Sequence, residues 1–264
     1  VEGEVVREIS EIMELANFEK MNEIRARAEE LVSDPNTAEE LKPYYAMFCK
    51  RPCFHDDYLP TFNRPNVELI DTDGQGVDAI TEKGIVVGGK EYEVDCIIFG
   101  TGFEVGTDYA RRAGYEIVGK NGQKLSDKWA DGMKTFHGMQ SRGFPNCFLI
   151  SASQGGFSAN YPHLLNEVAT HLAYILSHAI ENDIKAIETS SKAEADWVQT
   201  IIGGTGPSMQ IGGEGCTPGY YNNEGKPNPI AKYNAFYSGG SIQFWDLLAK
   251  WREEGNFEGL EFRS

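Results

Sequence analysis

The sequence lacks a complete dinucleotide-binding fingerprint. That fingerprint, G-x-G-x-x-G between a strand and a helix, fixes the third glycine three residues after the second. Gly100, Gly102 and Gly106 give G-x-G-x-x-x-G, one residue too long, and residues 107–122 do not carry the apolar period of a crossover helix. No P-loop, no nucleophile elbow and no carboxylate pair in a catalytic context is present. No run of 18 apolar residues offers a transmembrane helix, and no signal-peptide pattern is visible. Basic charge is scarce: 24 Lys and Arg stand against 40 Asp and Glu, a net charge of −16. That balance argues against nucleic acid or an anionic membrane as a partner, since both need a basic face. The five cysteines (49, 53, 96, 147 and 216) are odd in number and irregular in spacing. Cys49 and Cys53 are four apart and lack a second pair, so a zinc site is not expected. The expectation is reduced thiols in a cytoplasmic protein, with Cys96 and Cys147 buried as small hydrophobes.

What is present begins with Asp95-Cys-Ile-Ile-Phe-Gly-Thr-Gly-Phe103. A short apolar run ending in glycines suits a buried parallel strand whose carboxyl end is approached by a ligand, as in nucleotide-binding α/β sheets. Elsewhere, residues 4–32 carry a helical period, ended by Asp34-Pro35. Thr37 and Glu40 predict a capping box for a short second helix. Val67–Asp71 and Phe148–Ser151 read as strands, and Ile85–Val94 as a hairpin turning at Gly88-Gly89. A long helix is predicted from Asn160, its cap, to about Asn182, with Pro162 in the first turn. Two more follow over 192–202 and 241–254, the latter capped by Ser241. The glycine-rich stretch from Gly203 to Gly219 reads as a surface loop.

Three constellations could carry chemistry. Lys50-Arg51 is either a surface pair neutralised by Asp56 and Asp57 or an anion site built on a guanidinium. The loop Ser153–Asn160 leads into the long helix, whose amino terminus favours an anion or an electron-rich carbonyl; the alternative is a connecting glycine turn. His163, His171 and His178 are spaced 8 and 7 apart, not the four that a helical metal pair needs, so they read as core or surface residues.

Four passages together resemble the carboxyl-terminal half of the Baeyer–Villiger monooxygenases, class B flavin monooxygenases. They are Cys49-Lys-Arg-Pro52 through Asp57–Val67, the Asp95–Phe103 strand, Gly143–Phe148 with the glycine loop after it, and Cys216–Asn223. The family usually has alanine at position 100. The resemblance implies an α/β fold: a partial two-dinucleotide-binding-domain flavoprotein, Rossmann-like, lacking its amino-terminal FAD-binding βαβ unit. Residues 1–46 would end a helical insertion, 47–97 would be the last segment of an NADPH domain, and 98–264 the returning FAD domain.

The resemblance further implies FAD and NADPH as cofactors and conversion of bulky or cyclic ketones to esters or lactones, with molecular oxygen, through a peroxyflavin. Arg51 would stabilise the negative charge over the flavin, and Lys50 would read the NADPH 2′-phosphate. Thr101, Gly102, Phe103, Gly155, Gly156 and Asn160 would approach FAD, and Phe157 and Tyr161 would shape the ketone pocket. No metal is expected. The chain opens without Met, so the expectation is a fragment, inactive without the missing amino-terminal half. An N- or S-oxygenating flavin monooxygenase and a non-catalytic folded fragment are the alternatives.

Overall fold

A computed structural model describes residues 2–102, 109–204, 216–226 and 228–264, with side chains from residue 11 onward except that of Arg112. The chain divides into two units: residues 2–102 with 216–226, and residues 109–204 with 228–264.

The first unit opens with α1 (Glu2–Leu31). Met21, Ala28 and Val32 recur near the helical period and are buried, while Ile12, Met13, Leu15 and Phe18 stay exposed. The helix ends before Asp34, which starts α2 (Pro35–Glu40). Asp34 Oδ1 accepts from the Thr37 backbone N–H at 2.8 Å and from its hydroxyl at 2.9 Å. The cap is therefore Asp34 rather than Thr37, because Pro35 suits the first helical position, where no N–H is needed. After α3 (Tyr58–Thr61) comes an antiparallel sheet of β1 (Ala79–Ile80), β2 (Gly84–Val87) and β3 (Lys90–Glu93). The β2–β3 turn falls on Gly88 and Gly89, both at positive φ (58° and 77°), as a two-residue hairpin turn requires.

The strands expected at 67–71 and 95–99 do not form. The three-stranded sheet ends at Glu93, and residues 95–99 join no ladder among the described residues. Ile98 and Phe99 are 89% and 70% exposed, and Cys96 is exposed rather than buried. An apolar run becomes a buried strand only when neighbours satisfy its backbone and cover both faces. Cys49 and Cys216 form a disulfide, which corrects the expectation of five reduced thiols. Cysteines 167 residues apart offer no spacing signal to predict it.

The second unit contains α4 (Tyr109–Ala113), α5 (Leu125–Lys128), α6 (Tyr161–Glu181), β4 (Ala186–Thr189), α7 (Ser191–Ile202), α8 (Gly240–Glu254) and β5 (Leu260–Arg263). Leu164, Val168 and Leu172 of α6 meet Trp197 and Ile201 of α7 and Phe244 and Leu248 of α8 in one core. A second cluster joins Ile175 and Ala179 to Ile187, Trp251 and Phe257. Asn160 caps α6 as predicted, accepting from the His163 N–H at 3.3 Å. Gly239, not Ser241, precedes α8, with no side-chain cap. Phe148–Ser151 is irregular rather than a strand: only the Leu149 N–H reaches across, to Met139 O at 2.8 Å.

The sheet of this unit, β4 paired antiparallel with β5, was not foreseen. Its Glu188 is buried and held by Lys120 Nζ (3.0 Å), the Gly143 N–H (2.8 Å) and Arg263. A buried carboxylate survives only with such partners. Both sheets of the chain are antiparallel, so the parallel pairing expected of an α/β fold does not occur among the described residues. The loop expected from Gly203 to Gly219 lies largely outside them.

Candidate functional site

Arg51 follows α2 in an irregular, exposed segment. Its Nε donates to the Tyr221 hydroxyl at 3.4 Å, a long hydrogen bond. Tyr221 is reached because the Cys49–Cys216 disulfide fixes the 216–226 turn beside the segment. Asn222 knits that turn: its Oδ1 accepts from the N–H groups of Gly219 (2.9 Å) and Gly225 (3.1 Å), and its Nδ2 donates to Thr217 O (3.1 Å). The Tyr221 hydroxyl, and electrostatics from Tyr221 and Tyr220, raise the Arg51 pKa, and a guanidinium is charged throughout the working pH range in any case. Burial acts to raise the Tyr221 phenol pKa, but hydrogen bonds to Arg51 and with Tyr220, and the Arg51 charge, outweigh it and lower the phenol below its ordinary value. Lys50 lies 5.7 Å from the Tyr45 ring centre. Asp56, one of the acids expected to neutralise Lys50 and Arg51, instead pairs with Arg27 at 3.5 Å.

Thr101 and Gly102 belong to this unit and are exposed. Gly102 sits at φ 95°, a conformation that side chains disfavour, and open space surrounds the positions where Cβ atoms would stand at Gly100 and Gly102. Phe103 lies outside the described residues.

The glycine loop of the second unit is built differently. Gln154, fully buried at φ 56°, anchors it. Its Oε1 accepts from the Thr135 hydroxyl at 2.6 Å, and its Nε2 donates to Met133 O and Tyr233 O, both at 2.7 Å. Its backbone N–H reaches Ala235 O at 2.8 Å, and its carbonyl accepts from Trp197 Nε1 at 3.0 Å. Every polar group of this residue is used, which fixes the turn in one geometry. Sequence reasoning missed Gln154; a lone polar residue before two glycines carries no periodic signal.

Gly155 and Gly156 are buried behind it. A Cβ at Gly156 would stand 3.0 Å from the Phe244 ring and 3.1 Å from Ser241 Cα, so glycine lets the loop lie on α8. Phe157 stacks on Phe236 at 4.6 Å, and Tyr161 at the start of α6 is about half exposed. The structure therefore gathers Gly155, Gly156, Phe157, Asn160 and Tyr161 around one helix terminus, and Lys50 with Arg51 in one segment. His163 packs on Trp245, His171 is buried beside Trp251, and His178 stacks on Phe257. All three histidines thus pack against aromatic rings.

Each unit, taken by itself, offers features suited to an electron-rich or anionic ligand such as a flavin. In the first unit Gly102 leaves backbone open and Arg51 supplies a cation; in the second the α6 terminus presents positive potential, while Gly155 and Gly156 let the loop lie on α8.

No family model matches the chain. It is 48% identical over 259 residues to the neopentalenolactone D synthase of Streptomyces avermitilis, covering 97% of this chain and 43% of that protein. It is 42% identical over 254 residues to an FAD-binding monooxygenase of Hypomyces subiculosus (96% of this chain, 42% of the relative). It is 43% identical over 254 residues to a Baeyer-Villiger monooxygenase of Stachybotrys chlorohalonatus (95% and 40%). Among solved structures, the polycyclic ketone monooxygenase of Thermothelomyces thermophila superposes with a TM-score of 0.84 at 37% identity, over 94% of this chain and 40% of that one. An oxidized steroid monooxygenase bound to NADP gives 0.77 at 27%, over 95% and 46%. The chain spans less than half the length of each of these proteins, and nearly all of its own length is similar to Baeyer–Villiger monooxygenases.

Proposed function

We propose that the protein carrying this chain is an FAD- and NADPH-dependent monooxygenase that converts bulky or cyclic ketones to esters or lactones. The observation that carries this reading is the 48% identity maintained over 259 residues with one relative. The name of the polycyclic ketone monooxygenase supports the bulky substrate class. FAD would supply the oxygen-activating redox chemistry, with NADPH as reductant.

The chain is the carboxyl-terminal part of that enzyme, and the missing amino-terminal half completes it. Residues 1–46 end the helical insertion, 47–97 close the NADPH domain, and 98–264 return to a Rossmann-like FAD domain. Arg51 holds the negative charge that develops over the flavin, and a fixed guanidinium costs little reorganisation when that charge appears. Lys50 reads the NADPH 2′-phosphate. Thr101, Gly102, Phe103, Gly155, Gly156 and Asn160 approach FAD, while Phe157 and Tyr161 shape the ketone pocket. The isolated chain, with Ile98 and Phe99 uncovered, is expected not to turn over. Among the described residues no helix is long and apolar enough to cross a membrane. A cytoplasmic location remains a proposal that the three free thiols, Cys53, Cys96 and Cys147, favour and the Cys49–Cys216 disulfide opposes.

The test is the full-length protein, purified with FAD and supplied with NADPH and cyclic ketones. One ester or lactone formed for each NADPH oxidised is the expected result. Oxidised amines or sulfides with no ester would replace this reading with N- or S-oxygenation.

A further inference from the structure

The Arg51 segment and the 216–226 turn are joined twice, once covalently and once through a side chain. Cys49, two residues before Arg51, is bonded to Cys216, five residues before Tyr221. Tyr221 then accepts the Arg51 Nε–H. Between the two junctions the turn is stiff, because both ends of the Asn222 amide are engaged within it. Tyr220 packs on Tyr221 with ring centres 4.3 Å apart, which limits where the phenol can go. Arg51 itself is exposed and has one hydrogen bond from its guanidinium among the described residues. An exposed arginine whose guanidinium meets Tyr221 and its neighbour Tyr220 owes its placement to whatever places that turn.

We propose that Tyr221, tethered by the Cys49–Cys216 disulfide, is a positioning residue for Arg51, and that reduction of this disulfide by a dithiol releases it. The step is a two-electron exchange. The Sγ–Sγ bond breaks, each sulfur gains one electron and one proton, and the dithiol loses two electrons and two protons to close its own disulfide. Once the tether opens, the 216–226 turn has no covalent reason to stay beside residues 49–53. The proposal rests on the Arg51 role given above, so its test includes a reading that needs no turnover.

The full-length, FAD-loaded protein is mapped by non-reducing peptide analysis and by carbon NMR of ring-labelled tyrosine, before and after dithiothreitol. Tyr221→Phe identifies the Tyr221 signal. The expected results are a linked Cys49–Cys216 peptide and a phenol that titrates low before reduction and higher after it. Cys216→Ser should behave as the reduced protein and no longer respond to dithiothreitol. Tyr221→Phe should lower kcat on the order of ten-fold, the loss of one hydrogen bond to a charged group, with KM for NADPH little changed and the disulfide intact. An unlinked pair, or a Tyr221 signal indifferent to both reduction and Cys216→Ser, overturns the proposal, as does an unchanged kcat in Tyr221→Phe. If the Tyr221 signal shifts as expected but no ketone is oxidised by the unaltered protein, the tether stands and the oxygenase reading falls.

Discussion

The two units hold their candidate site residues by opposite means. In the second, the glycine loop is locked by a buried amide: Gln154 satisfies three partners through its side chain and two through its backbone. In the first, Arg51 is exposed and located by one long hydrogen bond and a disulfide two residues away. The contrast suits the proposed tasks. A loop that lies against a bound ring benefits from rigidity, whereas a side chain that meets charge only during part of a cycle needs a defined place and an escape from it. Buried polar networks fix geometry but make every member costly to lose. Exposed contacts are cheap to break and easy to move.

Variants should separate the two designs. The largest stability effect is expected for Gln154→Ala, which strands the Thr135 hydroxyl and the carbonyls of Met133 and Tyr233. Chemical denaturation should report a loss of about 3–5 kcal/mol. A loss below about 1 kcal/mol would mean that the loop is not held by this amide.

Acid should act next, and on the second unit. His137 and His171 are buried, with ring centres 5.6 Å apart, and their Nδ1 atoms lack partners. Burial pushes the His171 pKa down to about 3, with Arg252 adding to it, and burial with His171 nearby drives His137 well below the ordinary histidine value. Depressed values mean that the unfolded chain binds these protons first. The contribution of His171 is complete above the unfolded value of 6.5 and is lost as the pH falls from there toward 3. His171 should cost roughly 2–3 kcal/mol by pH 4.5, and His137 acts in the same direction. His171→Phe should flatten the acid limb of a Tm-versus-pH curve; an unchanged limb would place the sensitivity elsewhere.

Smaller still, Gly156→Ala must push the Phe244 ring or the α8 backbone aside, for about 1–3 kcal/mol. Asn160→Ala removes the α6 cap for about 1 kcal/mol, readable as a small drop in Tm. Arg51→Ala, by contrast, should leave Tm within error, since the side chain is exposed and its removal strands no buried group.

The same contrast explains what could be read from the sequence. α6 was legible because its period, its Asn160 cap and the Pro162 position are local, α7 by its span without its Ser190 cap, and the hairpin because Gly88-Gly89 names its own turn. The runs at 67–71, 95–99 and 148–151 looked like strands but did not become strands, because a ladder depends on partners that no local pattern specifies. Conversely, Ala186–Thr189 hid its strand behind a buried Glu188, whose partners Lys120, Gly143 and Arg263 are distant in sequence. Caps shifted where two residues competed, as with Asp34 over Thr37. At the candidate site, Lys50, Arg51 and the glycine pair were visible as residue types. Gln154, Tyr221 and the Cys49–Cys216 bond were not, since their meaning is entirely tertiary.

The central claim concerns one guanidinium. Full-length Arg51→Ala, loaded with FAD and given NADPH and a ketone that the unaltered protein accepts, should keep its flavin and its fold while ester formation falls by about 100- to 1,000-fold. Ester produced at the unaltered rate, with the same flavin content, would contradict the account.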